Sequence, residues 1–257
     1  MRVVVLGSGT SMGVPVLGCT CDVCTSSDPK DKRSRVAAVI DGDDGGRILV
    51  DTPPELRLQL LAAGVVTVDA VLFTHDHADH VHGIDDLRVM SQRNGELSLY
   101  GPSDTLDRIV RRFDYIFDPA VVAPEGTSKP KLRPSPLTAG ESRRIAGIDV
   151  LPIALSHGMM TVYGYRFGSF AYLTDVKTVT DEAIVALAGV RVLVINALFD
   201  RPHPTHLSIP EAIDVALAIG AEQTYLTHLT HRYSHHDLST RLPEGIEPAY
   251  DGLTLNV

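Results

Sequence analysis

The segment His75-Asp76-His77-Ala78-Asp79-His80 stands directly after the apolar run Val71-Leu72-Phe73-Thr74. Its metal-ligand side chains fall at positions 1, 3, 5 and 6. In a tight turn after a strand, positions 1 and 3 can face one ion, and positions 5 and 6 a second. Histidine and aspartate suit Zn²⁺ or Mn²⁺, borderline ions that accept both imidazole and carboxylate. This density of ligand types at a strand end exceeds what solvated loop residues account for.

The same grammar recurs along the chain. Four times an apolar run ends in Ser or Thr and the next residue is a potential ligand: VLFT-His75, IALS-His157, AYLT-Asp175 and TYLT-His228. A fifth run, RILV, ends in Asp51. Strand ends of one sheet lie side by side, so these residues are expected to converge at one edge. His157 would complete a first site with His75 and His77. Asp79, His80 and His228 would hold a second ion. Asp175 would bridge, because a carboxylate offers two oxygens, and a hydroxide would share the bridge.

The chain has 257 residues, 44% of them hydrophobic, enough for a sizeable core and too many for a disordered chain. Met1–Leu6 reads as a buried strand broken by GSGTSMG. That loop lacks dinucleotide-fingerprint spacing. Arg35–Ile40 and Arg47–Val50 read as a hairpin joined by DGDDGG, and Pro54–Ala63 as a short helix. Ala70–Phe73 reads as a strand; His82–Gln92 and Asp104–Ile116 read as helical. Residues 118–147 are rich in Pro, Gly and Ser and are expected to form a long loop or crossover. Further strands are expected at Ile148–Leu155, Val162–Phe167, Phe170–Leu173, Arg191–Ile195 and Gln223–Leu226. Helices are expected at Val179–Leu187 and Pro210–Ile219, the latter capped by Ser208. Such alternation predicts mixed sheets covered by helices in one domain spanning 1–257.

Three cysteines, an odd number, imply no disulfide framework. Cys19, Cys21 and Cys24 instead have the spacing C-x-C-x₂-C in a loop, which points to a structural zinc. His231, three residues past His228, is the candidate fourth ligand. The net charge is −9. An acidic chain repels polyanions, which disfavours long nucleic acid as a partner. No apolar run reaches membrane-spanning length, so neither a membrane partner nor a signal peptide is expected, and a cytoplasmic location is.

HDHADH followed by His157, Asp175 and His228, with Asp51 as the first acidic motif, resembles the metallo-β-lactamase-fold hydrolases over nearly the whole chain. The resemblance implies an αββα sandwich: two mixed sheets packed face to face with helices outside. It also implies that Asp51 supports the ligand loops from behind, and that Asp76 lies behind the ligands or faces solvent. The cysteine loop combined with H-x₂-H is similar to the PhnP-type cyclic phosphodiesterases. This implies two active-site divalent ions (Mn²⁺ or Zn²⁺), one structural Zn²⁺, a small ribosyl or nucleotide-like cyclic phosphodiester as substrate, and a homodimer as a candidate assembly. PqqB-like accessory proteins share the cysteine loop, and tRNase Z-like RNA-processing endonucleases share the metal motifs. A basic RNA-binding arm of the tRNase Z kind is not evident. The only basic-leaning stretch is Lys129–Arg133.

His206, just before the Ser208 cap, resembles the additional histidine of phosphodiesterase members. It is the candidate general acid, because a departing alkoxide needs a proton that an imidazole can supply near neutrality. Asp79 is placed with it among the residues carrying the chemistry. His203 reads as a loop histidine between prolines, His82 as structural, and His235 and His236 as solvent-exposed. Lys177 and Arg232 are candidates for gripping phosphate, weighed evenly against being solvated charges.

Overall fold

A computed structural model describes residues 1–257. In chain order the strands are β1 (Arg2–Gly7), β2 (Ala37–Asp41), β3 (Arg47–Val50), β4 (Ala70–Leu72), β5 (Leu97–Gly101), β6 (Leu132–Pro136) and β7 (Arg143–Ile145). They continue with β8 (Ile148–His157), β9 (Met160–Phe167), β10 (Phe170–Leu173), β11 (Val192–Asn196), β12 (Gln223–Thr227), β13 (Ile246–Pro248) and β14 (Thr254–Asn256). The α-helices are α1 (Asp22–Thr25), α2 (Leu56–Ala62), α3 (Ala78–Val81), α4 (Leu87–Asn94) and α5 (Ser103–Arg112). They are followed by α6 (Asp114–Phe117), α7 (Asp181–Ala186), α8 (Ile209–Ile219) and α9 (His235–Arg241).

Two seven-stranded sheets result, ordered β14-β1-β2-β3-β4-β5-β6 and β13-β12-β11-β10-β9-β8-β7. Each is antiparallel at one end and parallel at the other. In the first, β1, β2 and β3 alternate direction, while β3 to β6 run together. In the second, β7 to β10 alternate and β10 to β13 run together. Parallel neighbours end at the same edge of a sheet. β8 also ends there, because two antiparallel steps separate it from β10.

The period-2 alternation of side chains makes the layers. Val3, Val5, Ile40 and Val50 of the first sheet meet Val150, Tyr165, Phe167 and Tyr172 of the second in the central core. The alternate residues Val4, Leu6, Val39 and Leu49 face outward onto Leu56, Leu60, Leu106 and Ile109 of the helices. Leu155, Leu173, Leu193 and Ile195 do the same on the other side against Ala212 and Ala216. This is the αββα sandwich that the strand grammar and the resemblance lead one to expect.

Several local expectations need correction. The 118–147 stretch holds two strands, β6 and β7. β6 contains Pro134 and Pro136, which cannot donate to a ladder and argue against a strand. It is tolerated because β6 is the outer strand of its sheet. The 82–92 helix is a 3₁₀ turn at Ile84–Asp86 followed by α4. The 104–116 helix is broken at Phe113 into α5 and α6. β13, β14 and α9 are too short to show periodicity. The glycine loop after β1 serves close backbone packing: a Cβ on Gly9 would sit 2.5 Å from the Arg33 carbonyl oxygen.

The predicted cap of α8 is a full capping box. Ser208 Oγ accepts from the Glu211 N–H, and Glu211 Oε2 accepts from the Ser208 N–H at 2.8 Å. Ser208→Ala is expected to lower unfolding stability by about 1 kcal/mol. Urea denaturation should show a shifted midpoint with an unchanged slope.

Candidate metal centre

The strand edge carries an unusual backbone. Asp51 and His228, directly after β3 and β12, and Asp175, two residues past the end of β10, have positive φ values of 63°, 57° and 54°. Left-handed backbone at a residue with a Cβ costs on the order of 1–3 kcal/mol and is best tolerated by Asp, Asn and His. The chain turns sharply away at these points while their side chains stay at the shared edge. The turn after Asp175 is fixed by Asn196, whose Oδ1 accepts from the Val176 N–H at 2.7 Å. The turn after His228 is tied to the glycine loop, with Leu229 N donating to Ser8 O at 2.8 Å.

Asp51 organises the first sheet's contribution. It accepts from the Thr74 N–H and hydroxyl, both at 2.9 Å, and from His80 Nδ1 at 2.8 Å. His77 then begins α3, whose first turn carries Asp79 and His80. Gly83 ends this segment because a Cβ there would lie 2.1 Å from the Pro53 carbonyl oxygen. Asp76 is not solvent-facing. It is 5% exposed and paired with Arg112 Nη2 at 3.0 Å and Arg108 Nη1 at 3.3 Å, and Arg112 also donates to its carbonyl oxygen. No signal in the sequence marked these arginines, since such charges on an amphipathic helix read as a solvated face.

The edge brings two ligand groups together. His75, His77, His157 and Asp175 form one; Asp79, His80, Asp175 and His228 form the other. Within each group the ligand atoms lie within 4.8 Å of one another, and Asp175 belongs to both. Its Oδ1 is 3.3 Å from Nε2 of both His80 and His228, and its Oδ2 is 3.8 Å from His75 Nε2. Tetrahedral ligation at about 2.0–2.1 Å separates two ligand atoms by about 3.4 Å. The donor chemistry fits a cation. Nε2 of His75, His80 and His228 is buried with no hydrogen-bond partner. Several rings are held by their other nitrogen: His80 by Asp51, and His157 by the Thr205 carbonyl oxygen at 2.7 Å. That arrangement leaves a lone pair at Nε2, as metal ligation requires.

Electrostatics agree. Burial pushes the His75 and His157 imidazoles down, and His228 down to about 4, so these rings are neutral at pH 7, the form able to bind a cation. Burial acts the same way on His80, but the Asp175 and Asp51 carboxylates outweigh it and hold this imidazole well above its usual value. Burial opposes ionisation of Asp175, yet the surrounding imidazoles, His228 and His80 foremost, keep it well below the carboxylate range.

His206 also reaches this centre. Its Nε2 is 3.1 Å from Asp175 Oδ2, and its ring is stacked on His228 (centroids 4.7 Å, 22°) and edge-on to His157 (4.6 Å, 78°). Its Nδ1 meets Thr205 Oγ1 at 3.0 Å and His203 Nδ1 at 3.3 Å. His203 is therefore a neighbour of the centre rather than a remote loop residue, a proximity that its setting between prolines concealed. Lys177 is committed to Glu211 at 2.6 Å. Arg232 is exposed. His82 lies edge-on to Phe113. His236 is exposed, but His235 is half-buried against Tyr250.

A second cluster joins Cys19, Cys21, Cys24 and His231. Each Sγ lies 3.4 Å from His231 Nδ1. A zinc tetrahedron with bonds of about 2.3 Å to sulfur and 2.0–2.1 Å to nitrogen has S···N edges of about 3.5 Å. The Cys21 thiol is lowered to about 6 by the Cys24 N–H and His231, while burial raises Cys24. Buried Arg33 holds the His231 loop, donating to the Thr230 carbonyl oxygen and to that of Tyr233 at 2.9 Å, and pairing with Asp31 at 3.2 Å.

Residues 46–229 match the model of the β-lactamase superfamily domain, and the chain belongs to that family. Its two packed sheets with helices outside are the metallo-β-lactamase fold. A PhnP-family diphosphatase of known structure superposes with a TM-score of 0.91 and 37% identity, covering 100% of this chain and 97% of the other. Zinc-bound PqqB from Methylobacterium extorquens superposes at 0.80 over 100% of both chains with 20% identity, a likeness of fold. An octanoyltransferase of Porphyromonas gingivalis is 41% identical over 98% of this chain. The chain spans about half that relative's length, 51%. No helix is long and apolar enough to cross a membrane.

Cys21→Ser is expected to lower the thermal midpoint and release one metal equivalent, while metal bound by the His/Asp groups stays. A closed four-ligand zinc has no open position, and its binding energy goes into folding. Elemental analysis beside calorimetry checks this; full metal content with full stability would remove the cysteine site.

Proposed function

We propose that the chain is a phosphodiesterase acting on a small, cyclic or nucleotide-like substrate. In this reading His75, His77 and His157 hold one divalent ion and Asp79, His80 and His228 a second. Asp175 is shared between them, and Cys19, Cys21, Cys24 and His231 hold a structural zinc. The observation that carries the reading is the position of His206, with Nε2 3.1 Å from Asp175 Oδ2 in a centre already full of ligand groups. When bound, the divalent ions supply charge neutralisation at the phosphate oxygens and an acidified water.

The chain's own residues do the rest. Asp51 and the Thr205 carbonyl oxygen fix the His80 and His157 rings. Thr205 and His203 engage the Nδ1 side of His206, which leaves Nε2 facing the centre as the proton donor to a leaving oxygen. The PhnP-family relative is named a diphosphatase. Its likeness favours attack at phosphorus and brings in a second reading, cleavage of a phosphoanhydride by the same groups. A long RNA is disfavoured by the net charge of −9 and by the use of the basic stretch within the fold: Lys129 donates to the Asp118 carbonyl oxygen and Arg133 pairs with Glu96.

The test is a hydrolysis screen of the metal-loaded protein. It covers cyclic and linear phosphodiesters, a disubstituted diphosphate and an RNA precursor, with metal content measured on the same sample. Phosphodiester turnover supports the proposal. A fully loaded protein inert toward every diester would remove it and favour the PqqB-like accessory role.

His206→Ala is expected to reduce kcat roughly 10²–10⁴-fold without metal loss, the usual span for acid–base assistance. The defect should shrink for a nitrophenyl ester, whose oxygen departs unprotonated. Equal impairment on good and poor leaving groups would assign His206 to binding or structure instead.

A further inference from the structure

Residues 199–206 lead from β11 to the cap of α8 and carry three side chains whose hydrogen bonds run in one direction. Pro202 and Pro204 flank His203 and restrict the backbone there. The loop is tied to the second sheet: Leu207 N donates to the Val176 carbonyl oxygen at 2.8 Å, and Leu198 N to the Leu207 carbonyl oxygen at 2.9 Å. A Cβ on Gly158, the residue after His157, would lie 2.9 Å from Thr205 Cγ2, so the Thr205 methyl is packed against that hairpin turn. A fixed methyl on a β-branched residue fixes the hydroxyl as well.

The direction of the bonds follows from the one donor whose proton stays in place. The Thr205 N–H points at His203 Nδ1 at 3.4 Å, so this nitrogen carries a lone pair. The Thr205 hydroxyl, 3.2 Å from the same nitrogen, then donates to it too. With its proton committed, Thr205 Oγ1 accepts from His206 Nδ1 at 3.0 Å, which places a proton on that nitrogen. His203 Nδ1 lies 3.3 Å from His206 Nδ1 and is an acceptor there as well. Burial, then the His206 imidazole, pushes the His203 imidazole down, in keeping with a neutral acceptor. Phe199 holds the His203 ring edge-on, with centroids 5.7 Å apart at 88°. The Thr205 carbonyl oxygen meanwhile accepts from His157 Nδ1 at 2.7 Å. One residue thus orients the His157 ring with its backbone and the His206 ring with its side chain.

We propose that Thr205 and His203 are positioning residues that fix the tautomer of His206: Nδ1 keeps a proton turned toward them, and Nε2 alone exchanges a proton with the substrate. The inference rests on the phosphodiesterase reading and deepens it. Before the transfer both ring nitrogens carry a proton. The Nε2–H bond breaks as the leaving oxygen takes the proton, the electron pair stays on the ring, and His206 ends neutral with Nδ1 protonated. The hydrogen bond at one nitrogen of an imidazole decides what the other can do. In the Ser-His-Asp triad that task falls to a carboxylate. A carboxylate would favour the charged ring, whereas the neutral acceptors here orient it and leave it free to lose the Nε2 proton.

Side-chain nitrogen NMR of the zinc-loaded protein reads the tautomers without turnover. His206 is expected to be protonated at Nδ1, and His203 at Nε2. Thr205→Val keeps the methyl and removes the hydroxyl; it should give a mixture of His206 tautomers, and Thr205→Ser should restore the wild-type pattern. Thr205→Val should also lower kcat on an alkyl diester roughly 10–10²-fold, below the span for loss of the acid itself. KM and metal content should stay unchanged, and the defect should shrink on a nitrophenyl ester. On a His206→Ala background Thr205→Val should cost nothing further, because the two side chains act as one unit. His203→Phe keeps a ring beside Phe199 and should act in the same direction; it decides the matter if Thr205→Val does not fold. A wild-type His206 protonated at Nε2 alone, equal impairment on good and poor leaving groups, or a further loss on the His206→Ala background overturns the assignment. A protein with the expected tautomers that cleaves no phosphodiester loses the proposed function and retains the tautomer assignment.

Discussion

A single buried carboxylate sets the terms for the rest of this molecule. Asp175 is 2% exposed and ionised, with His75, His80, His206 and His228 around it. A lone charge in such a place would be expelled or neutralised unless compensated. Part of the compensation is local, from the imidazoles of His228, His80 and His206 set around it. Nε2 of His75, His80 and His228 stands beside it without a hydrogen-bond partner, an arrangement that a cation would complete. The fold carries this instability in the open, as left-handed backbone at three strand ends.

Strand direction makes the arrangement affordable in structural terms. Because β3 and β4 run parallel in one sheet, and β8, β10, β11 and β12 share a direction in the other, one edge of the sandwich collects six strand ends. Rigid ladders then position groups that lie as far apart in sequence as Asp51 and His228. Helix α3 carries Asp79 and His80, whereas the longer helices contribute a clamp and a cap: α5 holds Asp76, and α8 anchors the loop of His206 through its capping box.

Much of this was legible in the residues. A strand followed by Ser or Thr and then a metal-ligand residue type is a one-dimensional signature of a shared edge, and it marks His75, His157, Asp175 and His228, which the fold brings together. The capping box of α8 was legible for the same reason, since local hydrogen bonding has local spacing. What could not be read depends on distant partners. Arg108 and Arg112 look like surface charge until Asp76 is placed beneath them. Asn196 is one more strand residue until the turn after Asp175 needs an acceptor. His203 becomes interesting only through its distance to His206. β6 was missed because its prolines are forbidden in most strands and allowed in an outer one, and position in a sheet is not a property of a segment.

The ligand groups are also drawn from both halves of the chain. His75 and His77 come from the first sheet and His157 and Asp175 from the second, while the cysteine cluster ties residues 19–24 to His231. No half of the chain contains either cluster complete. Loop closure over such separations is slow and is achieved only when both sheets have met. Each cluster is therefore complete only once the two sheets have docked. A partly assembled chain keeps residues 75–80 apart from His157, Asp175 and His228, and the three thiols apart from His231.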